Sequence, residues 1–275
     1  MSRYLTLLLL PILAILLAAH VEVNTYHFLS SSHAGRAQVL LLTAHPDDEC
    51  MFFGPTLTAL KKKSDIDVHS LCLSIGDQDG LGDVRRRELG RSLDVLGVDS
   101  RRSQVLDQED LKDNITVTWD SQTIADVVSS YVSEQNISTI LTFDEHGISS
   151  HPNHVSLFHG TALTLSLHPN KNLRAYALVT TPVMQKYTGV LGGFVSKIRG
   201  TLSPVSELSE DEEVRVVVAS SMAEYSTALR AMLQHWSQLV WFRWLYVAFS
   251  RYMWVNDWVE IKHACVGCMA GQAKA

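Results

Sequence analysis

The side chains best suited to hold a metal or move a proton fall in two short stretches, His45-Pro46-Asp47-Asp48-Glu49 and His151-Pro152-Asn153-His154. A lone histidine is usually structural, and carboxylates at a helix start often only cap it, but here both bland explanations would have to apply twice. Any three of His45, Asp48, His151 and His154 would supply an open nitrogen and oxygen site of the catalytic zinc type, with one position left for water. Spacing alone leaves the third ligand undecided. Asp47 points differently from Asp48 along the turn and is free to act as general base on a water whose pKa the metal lowers. The chemistry these residue types support is metal-assisted hydrolysis.

Two apolar strands must position these groups. Val39-Leu40-Leu41-Leu42 is an unbroken apolar run that fits a strand buried on both faces, and Pro46, which cannot donate a ladder hydrogen bond, ends it beside His45. A second strand over 138–143 runs into Asp144 and the His151 cluster, followed by an apolar helix over 155–167. Between them the pattern predicts a helix over 49–63, a strand over 66–75, and a glycine-rich loop over 76–82. A helix over 84–96 follows, capped by Asp83 and closed by Gly97, then a short strand over 103–106 and a helix ending near 134. Further strands are expected over 174–180 and 214–219, with an irregular, Gly- and Ser-rich stretch over 182–213 that ends in an acidic run read as a solvated loop. This alternation predicts an α/β fold with a mostly parallel, doubly wound sheet, helices on both faces, and a ligand site at the carboxyl ends of the strands.

A formal charge of −6, with basic residues scattered, gives no broad basic face and argues against nucleic-acid binding. Cys50 adjoins the acidic cluster and Cys72 sits in a predicted buried strand, so neither suits a disulfide framework; Cys265-Val-Gly-Cys268 is a lone pair read as ordinary thiols. Residues 4–19 are almost wholly apolar, a signal peptide or a short membrane anchor; the cysteine usage favours the uncleaved anchor. The region 221–258 holds five of the six tryptophans, with Trp236, Val240, Trp244 and Val247 at helical spacing. Arg243 and Arg251 interrupt it too deeply for a membrane span, so it reads as an interfacial helix, the bland alternative being a hairpin packed on the sheet. The expected organisation is an anchor over 1–23, a linker over 24–36, a catalytic domain over 37–220, and a helical, membrane-interfacial segment over 221–275.

The run Ala44-His45-Pro46-Asp47-Asp48-Glu49 together with His151-Pro152-Asn153-His154 resembles the two signatures of the PIG-L/LmbE-like zinc de-N-acetylases. The resemblance implies a Rossmann-like fold in which His45, Asp48 and His154 hold zinc or another divalent metal. It also implies that Asp47 is the general base and that His151 stabilises the oxyanion or donates a proton. Asn153 stands where many members have Asp, and an amide there can still orient a neighbour. Arg85 and Glu88 resemble the family's Arg-x-x-Glu, and Arg85 is a candidate for pairing with a substrate phosphodiester. Glu49 and Asp144 are candidates for orienting the ligand histidines. The implied substrate is the glycolipid N-acetylglucosaminyl-phosphatidylinositol, and the implied setting is the endoplasmic reticulum membrane, with the catalytic domain facing the cytosol. Readings from other classes are an inactive membrane-anchored scaffold of the same fold and a zinc amidase acting on a soluble N-acetyl sugar conjugate.

Overall fold

The apolar run 39–42 is buried essentially without exposure, as a strand covered on both faces must be. The computed structural model describes residues 19–28, 35–169, 172–202 and 215–262. In chain order the elements are β1 (Val21–Val23), β2 (Ala37–Thr43), α1 (Asp48–Met51), α2 (Gly54–Leu60), β3 (Ile66–Cys72), α3 (Gly82–Leu96), β4 (Ser103–Val105), α4 (Ser121–Glu134) and β5 (Thr139–Phe143). There follow the single turn α5 (Gly147–Ser150), α6 (Pro152–Leu167), β6 (Arg174–Leu178), α7 (Val183–Lys186), α8 (Gly189–Leu202), β7 (Arg215–Ala219), α9 (Met222–Met232), α10 (Trp241–Phe249) and β8 (Val255–Glu260).

The strands form one eight-stranded sheet in the order β1-β7-β8-β6-β5-β2-β3-β4. The block β4-β3-β2-β5-β6 is parallel throughout. Beyond it β8 runs antiparallel to both β6 and β7, and β1 is antiparallel to β7. After β2 the chain steps to β3 and β4 on one side, and β5 and β6 lie on the other, so strand order reverses between β2 and β5. That reversal opens a crevice outside the strand ends, where ligands bind in open α/β sheets. His45 follows β2 and His151 follows β5, so the chain delivers both clusters to the crevice.

Several expectations are corrected. The helix expected over 49–63 is two helices, because Pro55 cannot donate to the preceding turn and restarts the helix in the first turn of α2. Asp83 does not cap α3; the Asp77 carboxylate accepts from the Gly82 amide at 2.7 Å instead. Much of the expected irregular stretch over 182–213 is α7 and α8. Glycines read as loop signals serve close packing there: a Cβ at Gly193 would lie 3.3 Å from Cβ of Trp254. The end of the expected anchor and the start of the expected linker lie inside the fold. Val21 of the former pairs with Ala219, and Phe28 of the latter is fully buried, edge-on to Tyr176 and Trp258.

The largest correction is at the C-terminal side of residue 220, which is no domain boundary. β8 fills the gap between β6 and β7, and Trp258, fully buried, stacks on Phe53 and donates to Thr56 Oγ1 at 3.0 Å. Asn256 Nδ2 donates to the Phe52 carbonyl at 2.7 Å. The region 221–258 is therefore two helices and a strand, with Trp254 and Trp258 in the core and Trp236, Trp241 and Trp244 exposed. Among the described residues no helix is long and apolar enough to cross a membrane. The apolar run up to residue 18 and Cys265-Val-Gly-Cys268 lie outside the described residues.

Candidate active site

β2 ends at Thr43, and the two amides that follow, Ala44 and His45, donate to Asp48 Oδ2 at 3.0 and 2.9 Å. This locks the Asp48 carboxylate against the strand end, leaving Oδ1 3.2 Å from His154 Nε2. Burial disfavours the Asp48 charge, yet His154 and His45 hold its carboxyl well below the usual range.

Partners fix which nitrogen of each histidine faces the site. His45 Nε2 faces Asp113 Oδ1 at 3.1 Å and Asn153 Oδ1 at 3.0 Å, both acceptors, so Nε2 is a donor and Nδ1 is turned towards the site. His154 Nδ1 faces the Gly147 carbonyl at 3.2 Å, which turns its Nε2 towards the site. These two nitrogens lie 3.3 Å apart, with the Asp48 carboxylate beside both. The site draws a cation: despite burial, Asp113 and Asp48 raise His45 to about 9, so a proton is held there, and two imidazoles with one carboxylate suit zinc in its place. This donor set fits the metal.

His151 closes the other side. Its ring lies 4.8 Å from that of His45 and 4.9 Å from that of His154, and its Nδ1 accepts from the Asn153 amide at 3.3 Å. Burial and the neighbouring histidines push His151 down to about 4, so near neutrality the ring is uncharged with its proton on Nε2.

Asp47 occupies a left-handed conformation, φ 110° and ψ −20°, that few non-glycine residues adopt. Its amide donates to Glu49 Oε2 at 3.0 Å, and its carboxylate is ion-paired with Arg243. Burial raises the Asp47 carboxyl, and Arg243 works against that rise.

Two orienting roles are corrected. Glu49 does not touch His45: fully buried, it pairs with His235 Nε2 at 2.7 Å, accepts from Ser92, and fixes the Asp47 backbone. Asp144 does not touch a ligand histidine either. It accepts from the amides of His146, Gly147 and Thr180, holding the turn whose Gly147 carbonyl then orients His154. Arg85 donates to the Gly76 carbonyl at 2.7 Å and pairs with Asp79 at 2.9 Å. Gly76 and Asp113 line a cavity of about 220 Å³ next to the histidines, with Ser74, Asp77, Gln108 and Lys112. Glu88 does not partner Arg85; it is buried and accepts from the Ser237 amide and hydroxyl.

Sequence reasoning missed Asp113, His235 and the contact made by Arg243. Asp113 sat in a polar stretch with no motif around it. Arg243 did leave a signal: a cation inside an aromatic run, which the structure satisfies by pointing it at the site.

The architecture is that of solved α/β deacetylases. A deacetylase triple mutant from the teicoplanin biosynthetic pathway superposes with a TM-score of 0.56 at 14% identity, over 82% of this chain and 98% of that one. N,N'-diacetylchitobiose deacetylase from Pyrococcus horikoshii gives 0.51 at 16% identity, over 82% and 83%. In sequence, the family described as PIG-L: GlcNAc-PI de-N-acetylase matches residues 40–164. N-acetylglucosaminyl-phosphatidylinositol de-N-acetylase from Bos taurus is 36% identical over 225 residues, 81% of this chain and 83% of that protein. The protein of that name from Arthroderma benhamiae is 31% identical, over 80% and 86%. The chain belongs to the GlcNAc-PI de-N-acetylase family.

Proposed function

We propose that the chain hydrolyses the N-acetyl group of N-acetylglucosaminyl-phosphatidylinositol, giving glucosaminyl-phosphatidylinositol and acetate, a step in making glycosylphosphatidylinositol anchors. The observation that carries this reading is the convergence of His45, Asp48 and His154 beside the buried carboxylate of Asp47. In this reading those three residues hold a divalent cation, zinc by its donor chemistry, which when bound polarises the acetyl carbonyl and acidifies water.

Asp47 takes the proton from the attacking water and returns it to the departing glucosamine nitrogen, the two transfers one carboxylate can serve in turn. The left-handed backbone at Asp47, held by Glu49, separates its carboxylate from that of Asp48. His151 donates through Nε2–H to the oxygen that gains charge as the carbonyl is attacked, a contact strongest in the transition state. Asp113 and Asn153 hold the His45 ring, so the ligand nitrogen is aimed before substrate arrives. Arg85, beside the cavity at Gly76, would meet the phosphodiester, while Asp77, Asp107 and Asp113 on the cavity wall suit sugar hydroxyls.

The apolar run 4–19 serves as a single-pass anchor in the endoplasmic reticulum membrane, with the catalytic domain in the cytosol. Both Asn114-Ile-Thr116 and Asn136-Ile-Ser138 match the N-glycosylation pattern, and Asn136 is exposed. A cytosolic domain predicts no gel shift with endoglycosidase; a shift would place it in the lumen. Incubating the purified chain with the glycolipid and following lipid mass and free acetate tests the reaction. Loss of the phosphoinositol in place of the acetyl group would refute it.

A further inference from the structure

We propose that α7, α8 and α10 form a docking face for a lipid bilayer, separate from the N-terminal apolar run, and that α10 links this face to the active site. The observation begins with α10, whose two sides differ in chemistry. Arg243, Tyr246 and Ser250 recur at helical spacing and point inward: Arg243 pairs with Asp47, and the Tyr246 hydroxyl donates to the Met51 carbonyl at 2.7 Å. Trp241, Trp244 and Leu245 recur on the opposite side and are 75%, 50% and 51% exposed. Trp236, just before the helix, is 76% exposed.

The exposed apolar surface continues onto the neighbouring helices. α8 turns its glycines towards the core, where a Cβ at Gly189 would lie 3.1 Å from the Ala248 carbonyl of α10, and Leu191 and Val195 are left 65% and 56% exposed. On α7, Val183 and Met184 are 66% and 86% exposed. Scattered apolar residues need no explanation, but three adjacent helices that each expose large ones mark an interaction surface.

Charge selects the occupant. No Asp or Glu occurs between Glu145 and Glu207, nor between Glu224 and Asp257, although the chain has 29 acidic residues; Arg243 and Arg251 within those stretches are turned onto Asp47 and Asp257, so the face carries no carboxylate and its nearby cations are paired inward. Exposed tryptophans with no carboxylate among them match the headgroup region of a bilayer. A second feature agrees: β1, where the chain joins the sheet, packs against α8, and the sequence ahead of it is the apolar run 4–19. The anchor and the docking face would thus meet the same membrane. The proposal deepens the glycolipid reading, since such a face would bring the active site to a substrate embedded in lipid.

The test uses the full chain reconstituted into vesicles of phosphatidylcholine and phosphatidylinositol, with tryptophan fluorescence quenched either by brominated acyl chains or by aqueous iodide. Replacing Trp236, Trp241 and Trp244 together with Phe should remove most of the bromolipid quenching. A wild-type chain whose signal is quenched by iodide and not by bromolipid overturns the proposal, because the face is then in water. Protection from both quenchers also overturns it, since another protein surface must then cover the face. A second variant, Trp241→Glu with Leu245→Glu, should lower turnover of vesicle-borne glycolipid by roughly tenfold. Turnover of a water-soluble glucosaminyl analogue bearing the N-acetyl group should be unchanged. Equal loss on both substrates would contradict docking, whereas no wild-type turnover of either would contradict the proposed reaction.

Discussion

Arg243 on α10 is ion-paired with the carboxylate of Asp47, 196 residues away in the chain. The pair ties the C-terminal helix to the residue assigned as general base, and it holds a carboxylate buried in the turn after β2. Removing one member of a buried pair leaves the other unmatched, and small displacements of a catalytic group cost rate steeply. Arg243→Ala should lower kcat by about a hundredfold with bound metal unchanged. Steady-state kinetics beside metal analysis checks this; a fully active Arg243→Ala protein would show the contact to be incidental.

The assigned roles separate by metal content. Asp47→Asn should keep its metal yet lose a factor on the order of a hundred or more in turnover, because it removes a base and no ligand. Asp48→Asn and His154→Ala should each lower bound metal. Metal analysis after gel filtration reads both, and an Asp47→Asn protein without metal beside a metal-replete His154→Ala protein would reverse the assignment.

The C-terminal tryptophans should divide by stability. Trp258→Ala removes a fully buried ring that stacks on Phe53 and should cost roughly 4 kcal/mol. Trp236→Ala should change stability by less than about 0.5 kcal/mol, as at an ordinary surface site. Denaturant unfolding of the two variants measures the contrast, and similar midpoints would deny that β8 is part of the core.

Acid should weaken the seam between β1 and α9. His20 bridges Glu224 Oε2 at 2.8 Å and Glu22 Oε1 at 2.7 Å, and Lys62 and Lys63 join the cluster. Glu224 is buried, which favours its neutral form, but His20 and Lys62 hold it down to about 2; the His20 bond brings Glu22 to about 2 as well. A lowered carboxyl pKa gives stability that is complete above the ordinary value of 4.5 and is lost as pH falls towards 2. His20 is raised despite burial, so its share is complete below 6.5 and fades as pH rises through its higher folded value. The Tm gap between wild type and Glu224→Gln should be widest between these limits and narrow on acidification. A gap that is constant down to the acid end would contradict this account.

The parallel half of the fold was legible because its signals are local. Leu40-Leu41-Leu42 ending at Pro46, the Gly97 stop and the strand before Asp144 each depend on a few adjacent residues. The antiparallel half was not: Val255-Asn256-Asp257-Trp258 shows weak alternation, and Asn256 and Trp258 make sense only against Thr56, two hundred residues away. The same divide runs through the site. His45, Asp47, Asp48, His151 and His154 announce themselves by spacing, whereas Asp113, His235 and Arg243 are brought there by tertiary packing. Glu49 and Asp144 were noticed for their proximity in sequence, but their hydrogen-bond partners are set by the fold, so each orients a backbone turn in place of a ligand ring.

The most direct test of the central claim is metal titration of the chelated, full-length chain on N-acetylglucosaminyl-phosphatidylinositol, with acetate release and bound zinc measured on the same samples. The account predicts that release disappears with the metal and returns in proportion to zinc bound, in wild type and not in His154→Ala. Undiminished release from fully metal-free protein would contradict it.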